Sequence, residues 1–139
     1  MGTRSTITFV ENDTELVKIY QQYDGYIDGV GHELAKWLMK MTLVNGFSDA
    51  SSKNTANGVG CLAAQFIKDY KEGIGGFYIV PLDTSNDNID YNYRVVIKPT
   101  YSKTACNDVT EIIVTNWNET EPVFKGSPAK LLEFKEDDE

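Results

Sequence analysis

The chain has 139 residues and a formal net charge of −8, from 13 basic and 21 acidic side chains. Hydrophobic residues make up 41% of it, a composition typical of a single globular domain that buries its own core. The acidic balance argues against duplex nucleic acid and membrane surfaces as partners, because both attract clustered Lys and Arg. A small anion remains open as a ligand, since two or three local donors can hold one.

The N-terminal sequence and the lack of long apolar runs favour a cytoplasmic protein. Residues 1–5 are the polar Met-Gly-Thr-Arg-Ser, where a signal peptide would be apolar. No apolar run approaches the ~20 residues that cross a bilayer. We therefore expect no membrane association.

Metal-ligating residues are too few to predict a zinc site. His32 is the single histidine, and Cys61 and Cys106 are far apart in sequence, which leaves only carboxylate sites. Asp24 and Asp28 lie four residues apart but lack the EF-hand pattern. The sequence therefore predicts no metal and no cofactor. A disulfide between the two cysteines remains open.

The first predicted elements form a hairpin. Polar and apolar residues alternate from Thr3 to Val10, which predicts a half-buried strand. Its two faces would carry, respectively, Ser5, Ile7 and Phe9, and Arg4, Thr6 and Thr8. Glu11–Thr14 has turn chemistry, and an extended pattern resumes from Leu16 to Tyr23. A glycine-bearing loop, Asp24–Gly31, follows the second strand.

Two helices are predicted after this loop. Apolar residues at helical spacing mark the first helix from Val30 to Met41, with Asn45-Gly46 as its stop signal. Residues 47–57 are polar and predict a mobile connection. The second helix should run from Gly58 to Tyr70, with one apolar stripe facing the core.

The rest of the chain is rich in strand patterns, separated by clusters of Asp, Asn and Ser. The predicted strands are Phe77–Val80, Tyr91–Lys98, Val109–Trp117 and a short edge strand at Pro122–Lys125. Ser127 followed by Pro128 is typical of a helix N-terminus, so a short helix should cover Ala129–Phe134.

This order of elements predicts an α+β fold. We expect a mainly antiparallel sheet of five or six strands, with two helices packed on one face and a short C-terminal helix. Residues 1–132 would form this single domain. Residues 133–139 are rich in Glu and Asp and would form a solvated acidic tail.

Both predicted helices begin with the same tripeptide, Gly29-Val30-Gly31 and Gly58-Val59-Gly60. Backbone N–H groups at a helix start attract anions, so the surroundings of Gly31 and Gly60 are candidate donors to one ligand held between the helices. The alternative is that these glycines only permit tight turns and close packing of helix on sheet. Neither tripeptide matches a P-loop or dinucleotide motif.

The segment Tyr20–Tyr26 combines three tyrosines, two glutamines and an aspartate at a strand end. Aromatic faces stack on flat ligands, and amides bind donor and acceptor edges. The candidate ligand-binding side chains are therefore Arg4, Gln21, Gln22, Tyr23, Asp24, Tyr26 and Gln65. The alternative is a tyrosine-rich sheet face on which Asp24 sets a turn.

No catalytic motif stands out in the sequence. It has no Ser–His–Asp order, nucleophile elbow or Walker motif, so no catalytic residue is predicted. A Cys61–His32 pair would require the two helix starts to lie side by side. The alternative is that His32 is a surface or capping residue.

Four motifs together suggest a family. They are residues 1–5, the Tyr-Gln-Gln-Tyr-Asp-Gly-Tyr segment with Gly29 and Gly31, residues 57–65 (Asn-Gly-Val-Gly-Cys-Leu-Ala-Ala-Gln), and residues 75–78 (Gly-Gly-Phe-Tyr). Over residues 1–132 the chain resembles a family of small, functionally unassigned proteins encoded largely by bacteriophages and other viral or microbial genomes. The resemblance implies an accessory or anti-defence role in the host cytoplasm. It implies no reaction, cofactor or catalytic residue.

These observations favour a non-enzymatic binding module for a small anionic, nucleotide-like ligand such as a host signal. Two alternatives remain open. One is a protein–protein inhibitor of a host factor, acting through an edge strand or the acidic surface. The other is a small nucleotide hydrolase that uses Asp24, Asp28 or His32. A homo-oligomer is also compatible with the sequence.

Overall fold

The computed structural model describes residues 2–45, 54–73, 75–100, 102–116 and 121–135. Some of the predictions above fall outside these ranges, at residues 46–53, Trp117 and residues 136–139. The strands described are β1 Ser5–Glu11, β2 Thr14–Gln21, β3 Thr42–Val44, β4 Thr55–Asn57, β5 Phe77–Val80, β6 Tyr91–Ile97, β7 Thr104–Ala105, β8 Thr110–Asn116 and β9 Phe124–Gly126. The helices are α1 His32–Met39, α2 Gly58–Tyr70, the single turn α3 Cys106–Val109 and α4 Pro128–Glu133.

The main sheet has six strands in the order β5-β2-β1-β6-β8-β9. Each neighbouring pair is antiparallel except β1 and β6, which are parallel. The side chains of α1, α2 and α4 share one core with the sheet residues Ile7, Phe9 and Val95. The predicted α+β fold, with a mainly antiparallel sheet, two longer helices and a short C-terminal helix, is therefore confirmed.

Strand β1 lies at the centre of the sheet and is buried on both faces. Ile7 and Phe9 face the helices and are fully buried. On the other face Thr6 and Thr8 are 3% and 8% exposed. The prediction of a half-buried strand is wrong here, because the segment that follows β5 crosses this face and Lys18 bonds to its Thr84 carbonyl oxygen.

A second, small sheet has the order β4-β3-β7, and the sequence did not predict it. β3 directly follows α1 and pairs in parallel with β4 and antiparallel with β7. These strands have two or three residues each, too few to show a period-2 pattern. Residues 55–57, expected in a polar connection, therefore form a strand.

The start of α1 also departs from the prediction. Residues Ile27–Gly31 form a π-helical turn, and the α-helix begins only at His32. At the other end of the chain, the hydroxyl of Ser127 accepts a hydrogen bond from the Lys130 N–H, so this serine caps α4 as predicted. α4 ends at Glu133, and the Phe134 ring packs 5.2 Å from that of Phe124.

In the described part of the chain, none of the helices combines the length and the apolar character that crossing a bilayer demands.

Candidate functional site

A cleft of about 330 Å³ opens between the segment after β2 and the helices α1 and α2. Its lining combines carboxylates, aromatic rings, one amide and a few apolar groups. The lining residues are Gln21, Asp24, Tyr26, Asp28, Gly29, Val30, Glu33, Leu34, Phe66 and Tyr70.

The rim of the cleft is a tightly folded loop, residues 24–31. Asp24 has a φ of 60°, and its carbonyl oxygen accepts the Val30 N–H at 2.9 Å. The Tyr26 carbonyl accepts the Gly29 N–H, also at 2.9 Å. A Cβ atom on Gly29 would lie only 2.4 Å from the Asp24 carbonyl oxygen, so only glycine fits at this position.

Tyr93, at the centre of the main sheet, supports this loop from below. Its side chain is 1% exposed, and its hydroxyl donates to the Gly25 carbonyl oxygen at 2.7 Å. Its ring also touches the loop, because a Cβ on Gly31 would lie 3.2 Å from two Tyr93 atoms. The cleft rim is thus fixed to the sheet by one buried hydrogen bond and one close packing contact.

The far wall of the cleft comes from the C-terminal half of α2. The Phe66 ring is buried and lies 4.7 Å from that of Tyr70. Phe66 also packs edge-on against Trp37, with 5.2 Å between ring centroids, so α1 and α2 hold it from both sides. The Tyr70 hydroxyl donates to the Glu33 carbonyl oxygen at 3.2 Å, which ties this wall to α1.

The cleft is acidic. Asp24, Asp28 and Glu33 contribute carboxylates, and the described lining includes no Lys or Arg. Lys36 lies 3.9 Å from Glu33, but both side chains are about 60% exposed, so this pair is weak. Burial raises the pKa of the Tyr70 phenol, and the negative charges of Glu33 and Asp69 raise it further. Both charge effects have the sign expected for a negative potential at the cleft.

Three of the predicted site residues meet in this cleft: Gln21, Asp24 and Tyr26. Gln21 is the last residue of β2 and faces the helices, and its amide donates to the Tyr23 carbonyl oxygen at 3.3 Å. The Tyr26 hydroxyl lies 3.4 Å from an Asp24 carboxylate oxygen.

Arg4, Gln22 and Tyr23 do not line this cleft. Arg4 shares the face of Thr6, opposite the helices, because side chains alternate along a strand. There it borders a separate cavity of about 390 Å³ together with Thr6 and Tyr20. Tyr23 is 55% exposed and packs against Gly2, while Gln22 bonds through its backbone to Gly76.

The two Gly-Val-Gly starts are not brought together around this cleft. Gly31 is buried against Tyr93, which is the packing role weighed as the alternative. Gly60 is exposed, with no atom within 4 Å of an added Cβ. It lies six residues before Phe66, about 9 Å along α2, outside the cleft lining. Gln65 borders another cavity, with Trp37 and Asp69.

His32 and Cys61 each contact other residues and do not form the pair considered above. The His32 Nε2 lies 3.1 Å from the Phe134 carbonyl oxygen and 3.9 Å from Asp28. The two cysteines do not form the disulfide that the sequence left open, because both are free thiols. Cys61 is exposed and contacts Gln65, whereas Cys106 is buried. In the ranges that the structure describes, no group of three or more His, Cys, Asp or Glu side chains could hold a metal ion.

Among the charged and aromatic residues of the cleft, Glu33, Phe66 and Tyr70 were not sequence candidates, and Asp28 was considered only as a metal ligand and for the hydrolase alternative. Phe66 and Tyr70 belong to the apolar stripe of α2, which indicated a core role only. Their one distinguishing signal is that Tyr70 carries a hydroxyl at the end of that stripe, where an aromatic side chain can reach solvent.

No protein-family model, no curated protein and no solved structure matches this chain. The family resemblance of its motifs therefore stays a prediction.

Proposed function

We propose that this protein is a non-enzymatic binding module whose cleft holds the cationic group of a small organic ligand. One observation carries the proposal: three carboxylates and three aromatic rings line one cleft of about 330 Å³, and the described lining has no basic side chain. The charge of the lining therefore selects the ligand.

Carboxylates and aromatic rings attract an organic cation in different ways. The face of a tyrosine ring attracts a cation by about 0.5–2 kcal/mol, more when water is excluded. Tyr26 is 43% exposed at the rim, and Tyr70 lies beside Phe66 at the far wall, so aromatic rings stand on both sides of the cleft. Carboxylates at the rim add long-range attraction, which the net charge of −8 strengthens.

The same lining disfavours the phosphate of a nucleotide. A phosphate in this cleft would face Asp24, Asp28 and Glu33 with no basic side chain of the described lining to offset them. Arg4, the one basic residue among the predicted ligand-binding side chains, borders a cavity on the opposite face of the sheet. For this cleft we therefore replace the nucleotide-like ligand with an organic cation.

A charge-matched ligand series tests the proposal. Benzylammonium, benzyl alcohol and benzoate share one ring and differ in charge from positive through neutral to negative. Isothermal titration calorimetry should give the affinity order benzylammonium, benzyl alcohol, benzoate, with the first binding at least about tenfold tighter than the last. Equal affinities, or tighter binding of benzoate, would refute the proposed charge selection.

Variants locate this binding in the cleft. Tyr26→Ala should weaken benzylammonium binding roughly tenfold by removing a ring face. Asp28→Asn should weaken it roughly two- to fivefold, because this carboxylate is largely exposed. The control is Asp13→Asn, which removes the same charge from the exposed β1–β2 turn. If the control weakens binding as much as Asp28→Asn, only net charge matters and the cleft assignment fails.

Two sources of the cationic group are to be distinguished, a free amine and a Lys or Arg side chain of a protein. The second source corresponds to the protein-inhibitor alternative. A blocked Gly-Arg-Gly peptide, titrated beside agmatine, distinguishes these sources. Tighter binding of the peptide indicates a protein partner, and tighter binding of agmatine indicates a free amine. The nucleotide hydrolase alternative would instead release product when the protein is incubated with nucleotides, whereas a binding module returns them unchanged.

A further inference from the structure

The face of the main sheet opposite the helices carries a polar cavity of about 170 Å³, separate from the acidic cleft. β1 contributes Thr6 and Thr8, and β2 contributes Lys18, which is opposite Thr8 in the strand register. β6 contributes Asn92 and Arg94 to the lining, opposite Thr6 and Thr8 in the strand register. Strand register therefore brings two cations and several neutral donors onto one wall.

Lys18 is 7% exposed, and its partners are neutral. Its Nζ donates to the Thr84 carbonyl oxygen at 2.8 Å and to the Asn86 side-chain oxygen at 2.9 Å. Within the described ranges no carboxylate lies at ion-pair distance from this ammonium group. An ammonium group has three N–H donors, so one of them has no acceptor there. A buried charge with only neutral partners is costly, and an anion would offset that cost.

A second donor without a partner belongs to Asn92, a residue that lines the same cavity. The Asn92 side-chain oxygen accepts a hydrogen bond from the Thr6 hydroxyl, which points the amide nitrogen the other way. That nitrogen is buried and has no hydrogen-bond partner among the described residues. Buried polar groups nearly always have a partner, so this donor and the Lys18 ammonium together indicate an acceptor-rich ligand.

The charge of this cavity is opposite to that of the cleft. Arg94 forms an ion pair with Glu15, and both line the cavity, so their charges cancel. Lys18 leaves the described lining with a net charge of +1, in a chain whose net charge is −8. The local charge is therefore positive, although the chain as a whole is acidic.

We propose that this cavity binds a small oxyanion, the phosphate or carboxylate group of a ligand. The Lys18 ammonium donates to the oxyanion, and the Asn92 amide nitrogen joins it when the Asn92 side chain turns toward the ligand, with the Thr8 hydroxyl beside them. The neighbouring cavity of about 390 Å³ shares Thr6 and is bordered by Arg4, Tyr20 and the Asp87 carboxylate. It offers room for the organic part of the ligand.

Nuclear magnetic resonance of the full chain tests this site, with the Asn92 side-chain amide as the reporter. Inorganic phosphate should shift this resonance in a saturable way, and sodium chloride at equal ionic strength should not. Lys18→Met should weaken phosphate binding by roughly tenfold or more, because a charge-assisted hydrogen bond is lost. Lys98→Met, an exposed lysine outside the cavity, should bind phosphate like the wild type. No shift with phosphate, or the same shift with chloride, would overturn the proposal.

A second variant keeps the test decisive if Lys18→Met does not fold. Asn92→Asp preserves the shape of the side chain and replaces the unpartnered amide nitrogen with a carboxylate oxygen, which repels an anion. It should lose phosphate binding. Retained phosphate affinity in Asn92→Asp would contradict the assignment.

Separate titrations with acetate and AMP distinguish the source of the oxyanion. Tighter binding of acetate than of phosphate indicates a carboxylate ligand. Tighter binding of AMP, with shifts at Tyr20, indicates a phosphate ligand whose organic part fills the neighbouring cavity.

Discussion

Tyr93 connects the centre of the main sheet to the loop that lines the cleft. Its hydroxyl donates the buried hydrogen bond to Gly25, so Tyr93→Phe removes that bond with little change in shape. Leaving a buried carbonyl without this donor should lower the free energy of unfolding by about 1–3 kcal/mol, as measured by urea denaturation. Tyr23→Phe, at a 55% exposed side chain, is the matched control and should change it by less than about 0.5 kcal/mol. Equal effects of the two variants would contradict this role of Tyr93.

The two cysteines should differ sharply in reactivity. Cys61 is exposed on α2, and Cys106 is fully buried. Burial raises the pKa of the Cys106 thiol above its usual value, although the hydrogen bond with Thr110 opposes this rise. Because the thiolate is the reactive form, Cys106 should stay protonated and unreactive at pH 8. A thiol reagent should therefore label one cysteine per native chain and both in urea, and fast labelling of both native thiols would be inconsistent with this burial.

At the scale of single elements, two glycines of the paired tripeptides should respond oppositely to alanine. In the cleft loop, Gly29→Ala places a Cβ 2.4 Å from the Asp24 carbonyl oxygen, so the loop must shift. It should lower the free energy of unfolding by about 1–3 kcal/mol and weaken ligand binding in the cleft. Gly60→Ala meets no atom within 4 Å and should raise helix stability by up to about 1 kcal/mol. Thermal unfolding checks both, and a neutral Gly29→Ala would refute the close contact.

The elements that the sequence predicted are those whose signals are local. The apolar stripe of α2 and the Ser127-Pro128 cap of α4 depend on neighbouring residues only, and both agree with the structure. β3 and β7 pair with each other although about 60 residues separate them in sequence, so no local pattern marks either strand. The π-helical turn ends at Gly31, which packs against Tyr93, and this contact is also long-range.

Across the whole molecule, the two faces of the main sheet separate residues that the sequence grouped together. Gln21 and Tyr20 are neighbours in the chain, yet one lines the acidic cleft and the other borders a cavity with Arg4. Alternation along a strand can be predicted, but the cover on each face cannot. The helices cover one face of the sheet. The segment after β5 crosses the other face, where its Thr84 carbonyl oxygen accepts a hydrogen bond from the Lys18 ammonium. The opposite charges of the two cavities therefore emerge only in the folded protein.

The most direct test of the central claim is to map where benzylammonium binds on the wild-type chain by nuclear magnetic resonance. We expect saturable shifts at the backbone amides of Asp24, Gly29 and Val30 and at the Tyr26 and Tyr70 rings, with benzoate leaving them unchanged. Shifts spread evenly over the acidic surface, or concentrated on the opposite face of the sheet, would contradict it.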